Sequence, residues 1–165
     1  VRALFDAVVA RRGRIAVISS ETGWQTAAPF NGPYAISKHA VEAYADALRR
    51  EAALVGVHVT KVQPGPFRTD MVDGIRAAFA AAATASTHFG PVLERLGPRA
   101  AGEADRASDP TVLAEAVHRA LTTPRPRAAW SVRPDRTRSL LERLPTAVQD
   151  RLIVTALRRW TSPPG

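Results

Sequence analysis

Tyr34 and Lys38 stand four residues apart, and on a helix that spacing puts a phenol and an ammonium on one face. A free tyrosine ionises near pH ~10, too high for a base at neutral pH. A neighbouring cation favours the phenolate and lowers that value. A tyrosine tuned in this way exchanges a proton with an alcohol or a carbonyl. The bare pair also fits a surface lysine beside a packed tyrosine, so its surroundings have to decide. Ser19 and Ser20 close an apolar run, with Ser20 14 residues before Tyr34. A hydroxyl there can donate to a substrate oxygen as its charge changes. Further on, Pro64-Gly65 stops a second apolar run, and Thr69 offers another hydroxyl.

The elements that must position these groups follow from period and punctuation. Val1 to Ala10 carries Val1, Leu4, Phe5, Val8 and Val9 at helical spacing, with Arg11, Arg12 and Gly13 suited to its end. Arg14 to Ser19 is short, apolar and β-branched, as expected of a strand buried on both faces. Ser20 to Pro33 reads as loop. A long helix is expected from Tyr34 to Leu54, with Ser37, Val41, Tyr44, Ala45 and Leu48 on its apolar side and Glu42, Asp46, Arg49, Arg50 and Glu51 on its polar side. Gly56 ends it, and Val57 to Val62 is the next strand. Helix and strand alternating over short joins predict a parallel α/β sheet. In such sheets ligands sit at the carboxyl ends of the strands, where the serines, the Tyr–Lys pair and the Pro-Gly turn would meet.

Phe67 to Asp109 is rich in alanine and poor in strand signal, and predicts one or two short helices with a mobile stretch. Asp109-Pro110 is a cap followed by proline in the first helical turn, opening a helix to Leu121. Ala128 to Arg133 is a third strand. Leu140, Leu141, Leu144, Val148, Leu152, Ile153 and Leu157 predict two short amphipathic helices split by Pro145.

The stretch from Gly13 through Asp70 resembles the short-chain dehydrogenase/reductase family, whose signature is a Tyr-x-x-x-Lys helix. RIAVISSETG resembles the family's strand with its catalytic serine, YAISKHAVEAYADALRRE its active-site helix, and VTKVQPGPFRTDM its next strand and cofactor-closing loop. The wording is most like the hydroxysteroid and retinol dehydrogenase branch. The resemblance implies Tyr34 as general acid/base and Lys38 as the group that tunes it and holds the nicotinamide ribose. It implies Ser20, rather than Ser19, as the holder of the substrate oxygen. Ile18, Pro64, Gly65, Phe67 and Thr69 match positions that contact NAD or NADP, and Met71 falls in the substrate region. Substrates would be alcohols or carbonyls of steroid or retinoid type, and the family's habit implies a homo-oligomer. Glu21 reads as a solvated loop residue.

The implied fold class is a partial Rossmann-like, doubly wound parallel sheet with C-terminal helices. Residues 1–133 would form the catalytic domain, with 66–108 covering the substrate, and 134–165 an amphipathic helical tail. The family's glycine-rich fingerprint and its Asn-Asn-Ala-Gly segment have no match in these 165 residues. The chain therefore reads as the second half of a family member, expected to bind cofactor poorly alone. The alternative is a non-catalytic remnant or interaction module working through its basic tail.

Composition sets further bounds. An apolar fraction of 45% and a charged fraction of 23% fit a globular domain. No apolar run reaches the roughly 18 residues of a membrane span, and no secretory signal pattern opens the chain, so a cytoplasmic protein is expected. The absence of cysteine excludes disulfides and thiolate metal sites, and His39, His58, His88 and His118 are too scattered for a metal pair. The formal charge is +8, and from Arg125 to Arg159 nine arginines face three acids. Without interleaved aromatics this reads as a solvated basic face rather than a nucleic-acid surface. The Leu/Arg pattern ending in Trp160 also fits peripheral membrane contact, weighed below packing on the domain or on another subunit.

Overall fold

The three apolar runs pair as parallel strands β1 (Arg14–Ile18), β2 (His58–Pro64) and β3 (Ala129–Val132), in the spatial order β1–β2–β3. Ile15 lies opposite Val59, and Val62 opposite Trp130. The computed structural model describes residues 2–68, 71–105 and 107–161, with the side chains of 71–73, 101 and 103–105 outside that description. Seven helices accompany the strands among the described residues: α1 (Phe5–Ala10), α2 (Gly32–Ala53), α3 (Met71–Ala85), α4 (Gly90–Asp105), α5 (Pro110–Thr122), α6 (Arg136–Leu141) and α7 (Thr146–Arg158). The fold is α/β and partial Rossmann-like.

The chain divides into two units, Val1–Gly65 with Thr111–Asp135, and Pro66–Pro110 with Arg136–Gly165. In the first, Leu48, Ala52, Val57 and Val59 form a buried cluster, with Phe5, Val8, Val9, Ile15 and Val17 packed on it. Burying one such aliphatic side chain stabilises the fold by about 1.5–3 kcal/mol. β2 is the central strand and is the most buried, because it has a neighbour on both sides. β1 is only half-buried, since one of its edges is unpaired among the described residues. The burial on both faces expected of β1 is therefore not found there; it is β2 that is buried.

Helix ends follow backbone chemistry. α1 stops where Arg12 takes a left-handed φ of 47° and the Gly13 amide turns back to the Val8 carbonyl at 2.8 Å; the residue with positive φ is Arg12, not the glycine beside it. After α2, Gly56 takes a φ of 75°, which only glycine adopts without strain. The Val57 amide then bonds the Ala52 carbonyl at 3.0 Å.

Two expectations need correction. The inward face of α2 is Ala35, Glu42, Ala45, Leu48 and Ala52, while Tyr44 and Ser37 are exposed. The helix is rotated from the expected face because Glu42 is drawn inward by partners on β2, described below. Small Ala35, Ala45 and Ala52 also let α2 approach the sheet closely. The second correction concerns 67–109. It holds two substantial helices of 15 and 16 residues, not short ones. Alanine has the highest helix propensity, so the alanine run favours helix rather than looseness.

In the second unit α3 and α4 pack on each other through Ala83, Val92 and Leu93. Gly97 lies where a Cβ would meet Phe79 at 3.1 Å. Phe67 and Ser108 form an isolated parallel bridge, in which the Ser108 amide donates to the Pro66 carbonyl and the Arg68 amide donates to the Ser108 carbonyl, each at 3.1 Å. Pro145 separates α6 from α7, as its missing N–H predicts.

Candidate active site

β1 delivers Ser19 and Ser20 to the carboxyl edge of the sheet. Pairing with β2 continues one step past the strand, with the Ser19 amide donating to the Val62 carbonyl at 2.8 Å. Both serines are buried. The Ser20 side chain accepts from the Thr22 amide at 3.2 Å and so caps a single 3-10 turn, Glu21–Gly23. A serine hydroxyl that accepts there keeps its own proton to donate elsewhere. The Ser19 hydroxyl is buried and has no partner among the described residues.

α2 begins just beyond this loop, with Pro33 in its first turn, where a missing N–H costs nothing. Tyr34 and Lys38 share a face as their spacing predicts, with the Lys38 ammonium 5.6 Å from the centre of the Tyr34 ring. Lys38 Nζ also donates to the Ser19 carbonyl at 3.2 Å. That bond ties the helix to the strand end and leaves the ammonium two further protons to donate. Tyr34 is 36% exposed, so a ligand can reach its ring and hydroxyl.

The 3-10 turn lies directly on the helix. A Cβ on Gly23 would come within 2.8 Å of Ser19 Oγ and Glu42 Cγ, and 2.9 Å of the Lys38 carbonyl oxygen. Gly23 is thus required by close packing between the serine loop and the lysine turn. Gly65, at the end of β2, answers a similar demand. A Cβ there would overlap the Arg133 carbonyl oxygen, and its amide donates to the Val132 carbonyl at 2.9 Å. The approach of its own chain is enough to demand this glycine, whatever ligand reaches the same edge.

A buried polar chain runs beneath the site and has no place in the sequence reading. Glu42 is one turn past Lys38 on the same side of α2, and is buried. Its Oε2 accepts from Lys61 Nζ at 2.8 Å and from Gln63 Nε2 at 2.9 Å. Gln63 Oε1 accepts from the Ser131 hydroxyl at 2.9 Å. Lys61 also pairs with Asp46 at 2.9 Å. The chain therefore locks α2 to β2 and β2 to β3. Burial alone would push the Lys61 ammonium down, but hydrogen bonds to Glu42 and Asp46 outweigh it and hold its pKa above the ordinary value. The hydrogen bond from Lys61 holds Asp46 below the usual carboxylate value, against a smaller opposing effect of burial. The signal in sequence was Lys61 itself: a lone lysine inside a central strand has to be paired.

Glu21 corrects another expectation. It is buried rather than solvated, and its Oε2 accepts from the Asp135 amide at 2.7 Å and from Gln25 Nε2 at 3.4 Å. It fastens the loop after β1 to the segment after β3.

Of the residues singled out from sequence, Ser20, Tyr34, Lys38, Pro64 and Gly65 lie in the first unit, on strand ends and the adjoining helix turn. Ile18 is there too, at the end of β1 and 46% exposed. Phe67 belongs to the second unit. Thr69 and the Met71 side chain lie outside the described residues. Ile75 and Phe79 are half-buried on α3, and Phe89 is exposed. No cluster of metal-ligating side chains occurs among the described residues.

Residues 1–79 match the family model described as short chain dehydrogenase. The chain is 31% identical over 153 residues to the NADPH-dependent 3-dehydrocapnine reductase of Ornithobacterium rhinotracheale, covering 91% of this chain and 53% of that protein. It is 31% identical over 169 residues to retinol dehydrogenase 16 of Rattus norvegicus, covering 92% and 49%. The crystal structure of a short-chain dehydrogenase from Streptomyces avermitilis superposes with a TM-score of 0.63 at 23% identity, over 98% of this chain and 57% of that one. The chain spans about half the length of the curated relatives it matches.

Proposed function

Because the chain belongs to the short-chain dehydrogenase/reductase family, we propose that it carries the proton-transfer residues of a nicotinamide-dependent oxidoreductase that interconverts alcohols and carbonyls. The observation that carries this reading is the placement of Lys38. Its ammonium stands beside the Tyr34 ring while bonded to the carbonyl of Ser19, so helix and strand end are held as one site.

Tyr34 is the general acid/base. Its hydroxyl gives a proton to the substrate oxygen in reduction and takes it back in oxidation. Lys38 holds its ammonium beside the Tyr34 ring, 5.6 Å from the ring centre. Ser20, whose proton is not used in capping, donates to the same substrate oxygen and orients it. NAD or NADP, when bound, supplies the hydride chemistry. The donor set fits such a ligand. Lys38 has two protons left for ribose hydroxyls, and Ile18, Pro64 and Gly65 stand on the same two strand ends, with Phe67 and Thr69 following in sequence. Relatives named as retinol dehydrogenase 16 and 17-beta-hydroxysteroid dehydrogenase type 6 support a substrate of retinoid or steroid type. The exposed Ile36 and Tyr44 on α2, with Leu54 just past its end, suit contact between copies of the chain.

The test, made on the intact enzyme, is turnover of secondary alcohols and retinoid-type substrates with NAD and NADP, compared with a Tyr34→Phe variant. Loss of turnover with nearly unchanged cofactor affinity is expected. Retained turnover removes Tyr34 from its role.

A further inference from the structure

The C-terminal helices divide their apolar residues between two sides. On α7, Gln149 is buried and Ile153 and Leu157 are half-buried, as is Trp160 in the turn that follows. This side is fastened by α4: Arg99 stacks on the Trp160 ring at 4.2 Å, and Arg95 donates to the Arg159 carbonyl at 3.2 Å. Trp160 is therefore an internal anchor and not a residue presented outward.

What remains outside has a definite chemistry. Val148, Leu152, Thr155 and Arg159 follow the i, i+4, i+7, i+11 spacing of one helix face, flanked by Arg151 and Arg158. All six are exposed. Leu140 on α6 (62% exposed), Leu144 in the joining turn and Arg143 extend the exposed set. From Arg136 to Arg159 six arginines face two acids, Glu142 and Asp150. Asp150 lies on the other side of α7 by helical angle. Among the described residues, no acid pairs with Arg143, Arg151, Arg158 or Arg159.

From this we infer that the outer face of α6 and α7 docks on the surface of an anionic phospholipid bilayer. Aliphatic side chains interleaved with arginines fit that boundary. Val148, Leu152 and Leu140 enter the acyl edge, and the arginine stems lie along it with their guanidinium groups at the phosphates. A second copy of the same face would bring like charges together. A nucleic acid has no use for exposed aliphatics, and the aromatic ring that could stack on a base is already covered by Arg99. No helix among the described residues is long and apolar enough to cross a membrane, so the contact is peripheral.

The experiment is co-sedimentation of the 165-residue chain with phosphatidylcholine vesicles, with and without phosphatidylglycerol, at low salt. Binding only to the phosphatidylglycerol vesicles is expected. Each of Arg151→Gln, Arg158→Gln and Arg159→Gln should weaken it roughly fivefold. Leu152→Asp should weaken it roughly tenfold or more, with unchanged far-ultraviolet circular dichroism. If that variant loses helicity, Leu140→Ser at the more exposed position takes its place. Equal binding to both vesicle types, or none to the anionic ones, overturns the inference. So does binding to a DNA or RNA duplex that the aliphatic substitutions leave intact.

Discussion

Replacing Lys61 by methionine tests whether the buried chain beneath the site holds the catalytic helix to the sheet. The substitution keeps an unbranched apolar stem one atom shorter and removes the charge together with its hydrogen-bond donors. Lys61 and Glu42 side chains are 12% and 10% exposed, and their atoms are 2.8 Å apart. Removing one partner of a buried pair costs about 3–5 kcal/mol, because the remaining charge is stranded away from water. Two features place this case near the lower end. Gln63 still donates to Glu42, and Asp46, a third exposed, can recover water. A loss of about 3 kcal/mol is a large share of the about 5–15 kcal/mol that holds an ordinary domain together. Urea unfolding followed by the fluorescence of Trp24 and Trp130, both in the unit that holds the pair, measures it. The double variant Glu42→Leu/Lys61→Met removes both charges at once, so it should lose less than the two single losses added together. A single-variant cost below about 1 kcal/mol, the range of a surface pair, refutes the argument. Strict additivity in the cycle does so too.

Three further outcomes follow from the same geometry. Gly65→Ala sets a methyl group against the Arg133 carbonyl oxygen, backbone that cannot swing aside, and should cost at least the about 3 kcal/mol at the upper end of overpacking; an unchanged urea midpoint would contradict it. Glu21→Ala takes the acceptor from the Asp135 amide and should cost about 1–3 kcal/mol, with faster amide exchange at Asp135 as the local readout. Stability should also depend on pH at both ends. The depressed Asp46 stabilises the fold above its ordinary 3.8, and that contribution is lost as pH falls through its lower folded value. The raised Lys61 stabilises it below its ordinary 10.5, and that is lost as pH rises through its higher folded value. The difference between wild type and Lys61→Met should therefore narrow at each extreme; a constant difference would rule out this linkage.

Much of the frame was legible from local signals. Period, β-branching and breakers located three strands and the long helix within a residue or two, since those signals act along the chain. Pro145 and Gly56 marked their breaks because proline lacks an N–H and glycine tolerates positive φ. The Tyr34–Lys38 pair was legible because four residues on a helix fix a shared face. Local reading failed wherever a distant partner decided the outcome. Glu42 looked solvent-facing by residue type, Glu21 looked like a loop acid, and the alanine run looked loose.

By itself, then, the sequence determined which elements form and that a phenol and an ammonium share one helix face near a serine-bearing strand end. These depend on backbone sterics and on spacing within one element. Only the tertiary structure decided how that face is held. Lys38 bonds the Ser19 carbonyl across 19 residues of sequence, Glu42 turns inward to meet Lys61 and Gln63, and Glu21 reaches the Asp135 amide 114 residues away. A buried polar group must find a partner wherever the fold brings one. For that reason Tyr34 and Lys38 were readable in advance, and the buried side chains that fasten them were not.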